Sequence, residues 1–227
     1  MKSKIYLSAL AHPILREYLK SEGYDLCLIP ENDIVYREVS SHADLYMCRL
    51  DAGAEAPVLH IEDKTELGFR YPDNISYNGV CMGGFFIHNT KYTSPRLLKA
   101  VREKNMALIN VRQGYTKCNM AVINSHAAIT SDTGIYNALA SVPGAPFDIL
   151  LIRPGYVGLK GFPYGFLGGA SGRIGNEIVF NGNLEEHPDF RKIQIFIEAQ
   201  GLSLKYFKEY PLTDIGSIIS ESERIQI

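Results

Sequence analysis

Short apolar runs alternate along the chain with amphipathic segments of helical period. Each apolar run has the length of a strand and is bounded by glycine, proline or polar residues. This alternation predicts a mixed α/β fold. The predicted strands are Lys4–Leu7, Tyr24–Ile29, Val58–Ile61, Phe85–Ile87, Met106–Val111, Ala127–Thr130, Phe147–Ile152, Ile178–Phe180 and Leu202–Phe207.

Helix-start signals precede the amphipathic segments. A polar N-cap or a proline in the first turn satisfies or replaces backbone donors that have no partner inside the helix. The signals are His12-Pro13, Thr93-Ser94-Pro95, Ser131-Asp132 and His187-Pro188-Asp189. We read the histidines His12 and His187 as helix-start residues rather than as ligands. The stretch from Glu62 to Asp73 carries no such signal, so no helix is predicted there.

A second pattern is a repeat of short segments in which small, polar or sulfur-bearing residues lead into an apolar run. The five segments are Asp44–Cys48, Asn78–Cys81, Lys117–Met120, Gly168–Gly172 and Asp214–Ser217. Recurrence of one supersecondary unit is typical of circular or solenoid repeats. The chain is therefore predicted to be one domain over residues 1–227, built from five strand-strand-helix-strand units.

The fifth unit is divided between the two chain ends. The segment Leu212–Ile219, followed by Arg224–Ile227, has no helix or returning strand after it. The first thirty residues have a strand, a helix and a returning strand, but no opening segment. The ends are thus predicted to complete each other, with Ile225 near Ile5, and to close the ring without an exposed edge. The alternative is an ordinary layered α/β fold in which the repeats are a coincidence.

Composition narrows the classes of partner. The chain has 227 residues, 46% of them hydrophobic, and a net charge of −2. This charge provides no long-range field for nucleic acid or for an acidic membrane surface. No apolar window is long enough to span a bilayer, so we expect a cytoplasmic protein that binds neither nucleic acid nor membrane. The composition does not indicate an oligomeric state.

The cysteines are not arranged as a metal site in the sequence. Cys27, Cys48, Cys81 and Cys118 lie far apart and form no CxxC pair and no cysteine–histidine cluster. Reduced thiols are the expected state. The spacing predicts no zinc site, and no cofactor is expected.

The repeat resembles the pentein fold of the guanidino-group-modifying enzymes, a fivefold pseudosymmetric α/β propeller. The resemblance spans nearly the whole chain and rests on the unit starts and on the helix caps of units two to four. The unit starts are Asp44, Asn78, Lys117, Gly168-Gly169 and Asp214-Ile215-Gly216-Ser217. The nearest likeness is to a bacterial branch of that superfamily without an assigned function.

The resemblance implies a chemistry carried out by three kinds of group. In arginine deiminase, dimethylargininase and the amidinotransferases, a cysteine near the C-terminus attacks the guanidinium carbon, a histidine transfers protons and carboxylates hold the cation. This chain departs from that pattern. No cysteine follows Cys118, Gly216-Ser217 stands where the nucleophile is expected, and the connection Arg153–Phe162 contains no histidine.

In a closed ring the unit starts meet at the mouth of the channel. We therefore expect Asp44, Asn78, Lys117, Ser171 and Asp214 to lie together, where two carboxylates facing a lysine suit a zwitterionic or cationic metabolite. The alternative is that these residues only pair with one another, because buried charges need partners.

The glycine-rich turn has two interpretations. The backbone amides around Gly169 are candidates for anion binding. Close approach of backbones at the centre of the ring explains the glycines equally well.

Three residues are candidates for catalysis. Cys118 follows Lys117, whose ammonium favours a thiolate, although free cysteines are often simply buried. His42 lies two residues before Asp44 and is the candidate for proton transfer. Ser217 is a candidate nucleophile, but the sequence shows no nearby base for it.

Two functional classes follow from these residues. The first is a small-metabolite-binding pentein, including a hydrolase or deiminase-like enzyme that acts on a guanidino or amide substrate with a variant residue set. The second is a non-catalytic pentein ring used for binding or as a scaffold, a fold that the ribosome anti-association factor resembles. A polar pocket at the channel mouth favours the first class, and a packed, dry centre favours the second.

Overall fold

The computed structural model describes residues 3–52, 56–144 and 147–221. Its strands are β1 Lys4–Ser8, β2 Asp25–Ile29, β3 Met47–Arg49, β4 Val58–His60, β5 Val80–Met82, β6 Phe85–His88, β7 Ala107–Asn110, β8 Met120–Val122, β9 Ala127–Thr130, β10 Asp148–Leu151, β11 Ser171–Ile174, β12 Glu177–Phe180, β13 Ser203–Lys205 and β14 Ile219–Glu221. Its α-helices are α1 Pro13–Ser21, α2 Ala43–Tyr46, α3 Pro95–Glu103, α4 Thr116–Asn119, α5 Thr133–Ala140 and α6 Phe190–Ala199. Each predicted strand overlaps an observed strand.

The strands form five small sheets, and four of these share one plan. In each of the four, the first strand runs antiparallel to the second, and the second runs parallel to the third. A helix connects the second strand to the third, as a parallel connection requires. The four sheets are β5-β6-β7, β8-β9-β10, β11-β12-β13 and β14-β1-β2, and the fifth is the antiparallel pair β3-β4.

The chain ends share a sheet, as the division of the fifth unit predicts. Strand β14 pairs antiparallel with β1, and Ser220 lies opposite Ile5. Strand β2 pairs with the other side of β1. The expected position of Ile225, and the segment Arg224–Ile227 as a whole, lie outside the described residues.

The helix starts follow the predicted capping. The Ser94 hydroxyl accepts hydrogen bonds from the amides of Arg96 and Leu97, and Pro95 opens α3. The Asp132 carboxylate accepts from the amide of Ile135 at the start of α5. His12 accepts from the amide of Ile14 in the same way, which confirms its interpretation as a cap of α1.

The nearly continuous apolar run Tyr24–Ile29 predicts a strand that is buried on both faces, and this prediction is wrong. Residues of β2 are exposed or half-buried, and Leu28 is 39% exposed. These residues are accessible to solvent because β2 is an edge strand of its sheet. The returning strands β7 and β10 occupy the same outer position, and most of their residues are also exposed or half-buried.

The unit starts also differ from the expected strands. Two of them, α2 and α4, are single helical turns, and β3 and β8 follow them directly. Lys117 and Cys118 therefore lie on one turn of helix and do not alternate across a strand. The stretch Glu62–Asp73 contains no α-helix in the described structure, and the 3-10 turn Lys64–Glu66 lies within it.

Apolar clusters cross the boundaries between units. Leu15 of α1 is fully buried and belongs to the same cluster as Ile174 of β11 and Ile215, which precedes β14. The first helix of the chain is thereby tied to elements more than a hundred residues away. None of the described helices has the length and apolar character needed to cross a membrane.

Replacement of Leu15 by alanine tests this packing. Leu15→Ala removes a fully buried side chain, and we expect the free energy of unfolding to fall by about 3 kcal/mol. The matched control is Leu10→Ala, because Leu10 is 61% exposed and its loss should change the free energy by less than about 0.5 kcal/mol. Urea unfolding followed by circular dichroism measures both, and equal effects would contradict the packing described here.

Candidate functional site

The starts of the five units are joined by a closed cycle of hydrogen bonds. Each link connects one unit start to the next, and the last link returns to the first unit. The five links run from Asn78 Nδ2 to Asp44 O (3.1 Å), Lys117 N to Asn78 O (3.0 Å), Gly169 N to Cys118 O (2.7 Å), Ser217 N to Gly169 O (2.7 Å) and Asp44 N to Gly216 O (3.1 Å). The five segments singled out in the sequence are therefore brought together.

Two glycines are needed for this close approach. A Cβ atom on Gly169 would lie 2.1 Å from Asp214 Oδ1. Gly216 has φ +71°, and a Cβ atom there would lie 2.1 Å from the Cβ of His42. The amide of Gly169 already donates to Cys118 O, so it is not free to bind an anion. Of the two interpretations of the glycine-rich turn, the structure favours close backbone approach.

A buried polar cluster lies at this centre. Asp44 Oδ2 accepts hydrogen bonds from Ser217 Oγ (2.7 Å) and Cys118 Sγ (3.0 Å). Lys117 Nζ donates to Ser217 Oγ (3.0 Å) and to the carbonyl of Gly168 (3.4 Å). The other carboxylate oxygen, Asp44 Oδ1, is buried and has no hydrogen-bond partner in the described part of the chain.

Asn78 positions the neighbouring unit. Its Oδ1 accepts hydrogen bonds from the backbone amides of Lys117 (2.8 Å) and Cys118 (3.3 Å). Its Nδ2 donates to Asp44 O and lies 3.4 Å from Cys118 Sγ. A fully buried amide with these partners holds α4 in place, which supports the interpretation of Asn78 as a structural tie.

His42 and Asp214 form the second part of the site. Their closest approach, from Nδ1 to Oδ1, is 3.9 Å. Asp214 Oδ2 accepts from the amide of Phe166 (2.9 Å), and Oδ1 accepts from the amide of Gly216 (3.0 Å). Both side chains are almost completely buried.

Burial shifts the pKa values of four groups at the centre, Asp214, His42, Lys117 and Cys118. It raises the pKa of Asp214 to about 6, against the effect of the amide hydrogen bonds. It lowers the pKa of His42 and of Lys117, and in both cases the carboxylate of Asp44 opposes the shift. Burial raises the pKa of the Cys118 thiol, and the charges of Asp44 and Asp214 raise it further. At neutral pH the imidazole is therefore uncharged, and the thiol keeps its proton.

A cavity of about 150 Å³ opens beside this cluster. His42, Cys118 and Asp214 form its buried end. Near solvent, Phe162 and Tyr164 are 42% and 41% exposed. The remaining lining is apolar or aromatic and consists of Tyr36, Val39, Tyr115, Leu159 and Phe166. We call this cavity the aromatic pocket.

The residues that form the walls of the aromatic pocket were not predicted from the sequence. Tyr36 and Tyr115 come from connections in different units, and their hydroxyls lie 2.7 Å apart. The remaining aromatic residues lie between Gly155 and Phe166, where the chain has no regular elements. Aromatic residues interspersed with glycine in an irregular segment were the available signal, because such side chains have no periodic core to enter.

The predicted site residues divide into three groups. His42, Cys118 and Asp214 reach the aromatic pocket. Asp44, Asn78, Lys117, Gly169 and Ser217 lie behind it and are joined by the hydrogen bonds given above. Ser171 does not line the aromatic pocket, and together with Lys117 it lines a second cavity of about 40 Å³.

Ser217 has the acceptor that the sequence did not reveal. Its hydroxyl donates to Asp44, which is 173 residues away in sequence. Ser217 is nevertheless fully buried and is not among the residues that line the aromatic pocket. A ligand in that pocket therefore meets Cys118 rather than Ser217.

Three of these residues also offer donor atoms suited to a metal ion. One donor atom each from His42, Asp44 and Cys118 lies within 4.8 Å of the other two. The residues come from two different units, so their spacing in the sequence gave no indication of a cluster.

The pKa of Asp214 makes the stability of the protein depend on pH. Because the folded state raises this pKa from 3.8 to about 6, it holds the proton more tightly than the unfolded chain does. The resulting stabilisation is complete below about pH 4 and is lost as pH rises through 6. The asparagine in Asp214→Asn does not titrate. Between pH 4 and pH 7 the free energy of unfolding of this variant should therefore decrease less than that of the parent, and the two decreases should differ by on the order of 3 kcal/mol.

Urea unfolding at several pH values measures this difference in slope. The slope is the relevant quantity, because an amide at position 214 also disturbs the hydrogen bonds from Phe166 and Gly216 at every pH. Asp33→Asn, at an exposed aspartate, is the control and should keep the parent's pH dependence. Parallel curves for the parent and Asp214→Asn would show that Asp214 titrates normally.

Comparison with known proteins gives a family and no activity. No curated protein and no solved structure matches the chain. The sequence model of one family, described as a family of unknown function (DUF6873), matches residues 7–219. The match covers nearly the whole chain, and the pentein resemblance stays a prediction beside it. This chain belongs to the family of unknown function DUF6873.

Proposed function

We propose that this protein binds a small organic cation, with a planar guanidino or amide-type group, in the aromatic pocket. The observation that carries the proposal is the composition of that pocket. Its buried end holds Asp214, His42 and Cys118, and its walls are aromatic. Asp214 is the anchor for the cation in this proposal, because it is the carboxylate that lines the pocket.

The charges of the cluster favour a cationic ligand. Two carboxylates, Asp44 and Asp214, and the Cys118 thiol lie close to the ammonium of Lys117. Lys117 itself is held by neutral acceptors, the Ser217 hydroxyl and a backbone carbonyl. A positive charge beside Asp214 would offset the excess of negative groups, and the faces of aromatic rings attract cations as well.

The volume of the pocket limits the size of the ligand. A cavity of about 150 Å³ is comparable to one that accommodates benzene, whereas drug-sized ligands need about 300 Å³ or more. A guanidinium or amide group with a few carbon atoms fits this space. The rest of an amino-acid-like ligand would extend past Phe162 and Tyr164 toward solvent.

The catalytic form of this proposal is hydrolysis of a C–N bond in the bound group. His42 is neutral at physiological pH, as proton transfer requires. The Cys118 thiol faces the same space. Its raised pKa means that the sulfur needs an added positive charge nearby before it reacts as a thiolate.

We also propose that the five sheets are the units of a pentein-type propeller. Four sheets share strand order and polarity, and the cycle of hydrogen bonds joins all five unit starts. An experimental structure in which the five sheets do not surround one axis would overturn this proposal. The unit that begins at Asp44 has only two strands and is the weakest match to the repeat.

The second candidate function is a non-catalytic ring used for binding or as a scaffold. The observation in its favour is that Asp44, Ser217 and Asn78 make hydrogen bonds that hold the units together. These bonds account for the cluster without a ligand.

Thermal-shift measurements with arginine, agmatine, citrulline and related amino acids test the first proposal. A ligand that binds only the folded state raises the unfolding midpoint, and the rise grows with the logarithm of its concentration relative to Kd. We expect a cationic member of the series to stabilise the parent. Asp214→Asn should weaken its binding by about tenfold or more, since charge-assisted hydrogen bonds contribute about 1.5–3 kcal/mol.

Two further variants locate the binding site. Tyr164→Ala removes an aromatic wall that is 41% exposed, so it should weaken binding with little effect on stability. Asp33→Asn should bind like the parent. If no compound stabilises the parent, or if Asp214→Asn is stabilised equally, the scaffold function is favoured instead.

A further inference from the structure

We propose that His42, Asp44 and Cys118 bind one divalent transition-metal ion, with zinc as the best match, at the buried end of the aromatic pocket. The three residues reach this point from two units, because His42 and Asp44 flank the start of α2 and Cys118 lies on α4. We refer to them as the metal triad. The proposal rests on the donor atoms, their burial and their surroundings.

The spacing of the donor atoms is close to that of a tetrahedral site. One atom from each residue lies within 4.8 Å of the other two, and Cys118 Sγ lies 3.0 Å from Asp44 Oδ2. Ligands bound at about 2.0–2.3 Å around tetrahedral zinc lie roughly 3.3–3.8 Å apart. Side-chain rotations that move these atoms by about 1 Å would complete the site.

The set of donors suits zinc. An imidazole nitrogen, a thiolate sulfur and a carboxylate oxygen are the three ligand types that zinc uses in proteins. One thiolate and one carboxylate together cancel the charge of a divalent ion. His42 offers a ring nitrogen, and coordination would displace the proton of Cys118.

The second, independent observation is the unpaired oxygen of Asp44. The residue is fully buried, and Oδ1 has no hydrogen-bond partner among the described residues. A buried carboxylate oxygen without a partner is costly, on the order of 1–3 kcal/mol or more. A metal ion between the three donors would supply that partner.

The side chains around the metal triad orient its members by hydrogen bonds and charge, as the residues around the ligands of a metal site commonly do. Asp214 Oδ1 lies 3.9 Å from His42 Nδ1, and a carboxylate beside the imidazole is common for metal-bound histidine. Ser217 fixes Asp44, and Lys117 in turn donates to Ser217. Asn78 holds the backbone of Cys118. The ammonium of Lys117 is the unfavourable neighbour, and the carboxylate of Asp214 offsets it.

The fourth coordination position would face the aromatic pocket. His42 and Cys118 line that pocket, whereas Asp44 lies behind them. Catalytic zinc sites keep such a position for water, whose pKa falls to about 7 on the metal. Asp214 is not a member of the triad and stays available to pair with an organic cation.

A metal-bound water at this position would supply the nucleophile for the proposed hydrolysis. The reaction described next rests on that proposed function, whereas metal binding by the triad does not. The oxygen of the metal-bound hydroxide forms a bond to the carbon of the guanidino or amide group. The C–N bond breaks, and the nitrogen leaves as an amine after it takes up a proton. Water supplies both the oxygen and the proton, so the step needs no other reactant. In this form of the reaction Cys118 is a ligand and not the nucleophile, and His42 is a ligand and not the group that transfers protons.

Cobalt(II) substitution tests the metal triad without any substrate. Protein stripped with a chelator is titrated with Co²⁺, and the metal content is measured after dialysis. We expect one Co²⁺ per chain, a sulfur-to-cobalt charge-transfer band in the near ultraviolet, visible bands of a four-coordinate ion, and loss of these bands when Zn²⁺ is added. Absence of the charge-transfer band in the wild-type protein would overturn the proposal.

Matched variants assign the ligands. Cys118→Ser should abolish the charge-transfer band, and Asp44→Asn should weaken Co²⁺ binding by more than about tenfold, because outer-shell changes alone cost about 10–100-fold. Cys27→Ser removes a half-buried thiol of β2 and should leave both signals unchanged. A band that survives Cys118→Ser, or that disappears in Cys27→Ser, would overturn the assignment. If Cys118→Ser does not fold, the wild-type spectrum and Asp44→Asn decide.

The two proposals fail separately. Co²⁺ binding without any thermal shift from organic cations would leave the metal triad and remove the proposed ligand. A thermal shift that depends on Asp214 in metal-free protein, without any Co²⁺ band, would leave the cation site and remove the metal triad.

Discussion

The cycle of backbone contacts at the centre is the constraint on which the rest of the structure depends. Five chain segments can hydrogen-bond to one another in sequence only where side chains do not separate them. The unit starts are therefore glycines, single helical turns, or small polar residues that replace a backbone partner. The sheets and helices extend outward from these starts. The polar groups that the starts carry are confined to one small buried volume.

Confinement of several ionisable groups determines their chemistry. Desolvation raises the pKa of the Asp214 carboxyl and of the Cys118 thiol, and it lowers the pKa of the His42 imidazole and of the Lys117 ammonium. The two carboxylates are stabilised differently. Asp44 is bound by side chains of other units, whereas Asp214 is bound by two backbone amides and faces the pocket. One therefore holds the centre together, and the other lines the aromatic pocket.

Local signals in the sequence were sufficient to predict the helices and strands. Capping by Ser94 and Asp132 is determined within a few residues and was predicted correctly. The plan of the units also followed from a repeat that can be counted. The exposure of the returning strands could not be predicted from the repeat, because the position of β2 at the edge of its sheet is a tertiary property.

The candidate site was predictable only in part. Asp44, Lys117 and Cys118 could be expected near one another, because they open units that must meet. Their contacts could not be predicted, since the acceptor of the Ser217 hydroxyl lies 173 residues away. The aromatic walls were missed for a related reason. Tyr36 and Tyr115 lie in irregular connections, whose course is set by the packed units and not by any local period.

The hydroxyl of Ser217 has one hydrogen and two acceptors within reach. Asp44 Oδ2 lies 2.7 Å away, and the carbonyl of Gly168 lies 3.0 Å away. While Asp44 is negative, the carboxylate is the stronger acceptor. Once a cation neutralises it, rotation about a single C–O bond can redirect the hydrogen to the carbonyl. A change of charge at Asp44 can thus be met inside the packed centre by the reorientation of one hydroxyl hydrogen, which gives the buried cluster a second hydrogen-bond arrangement.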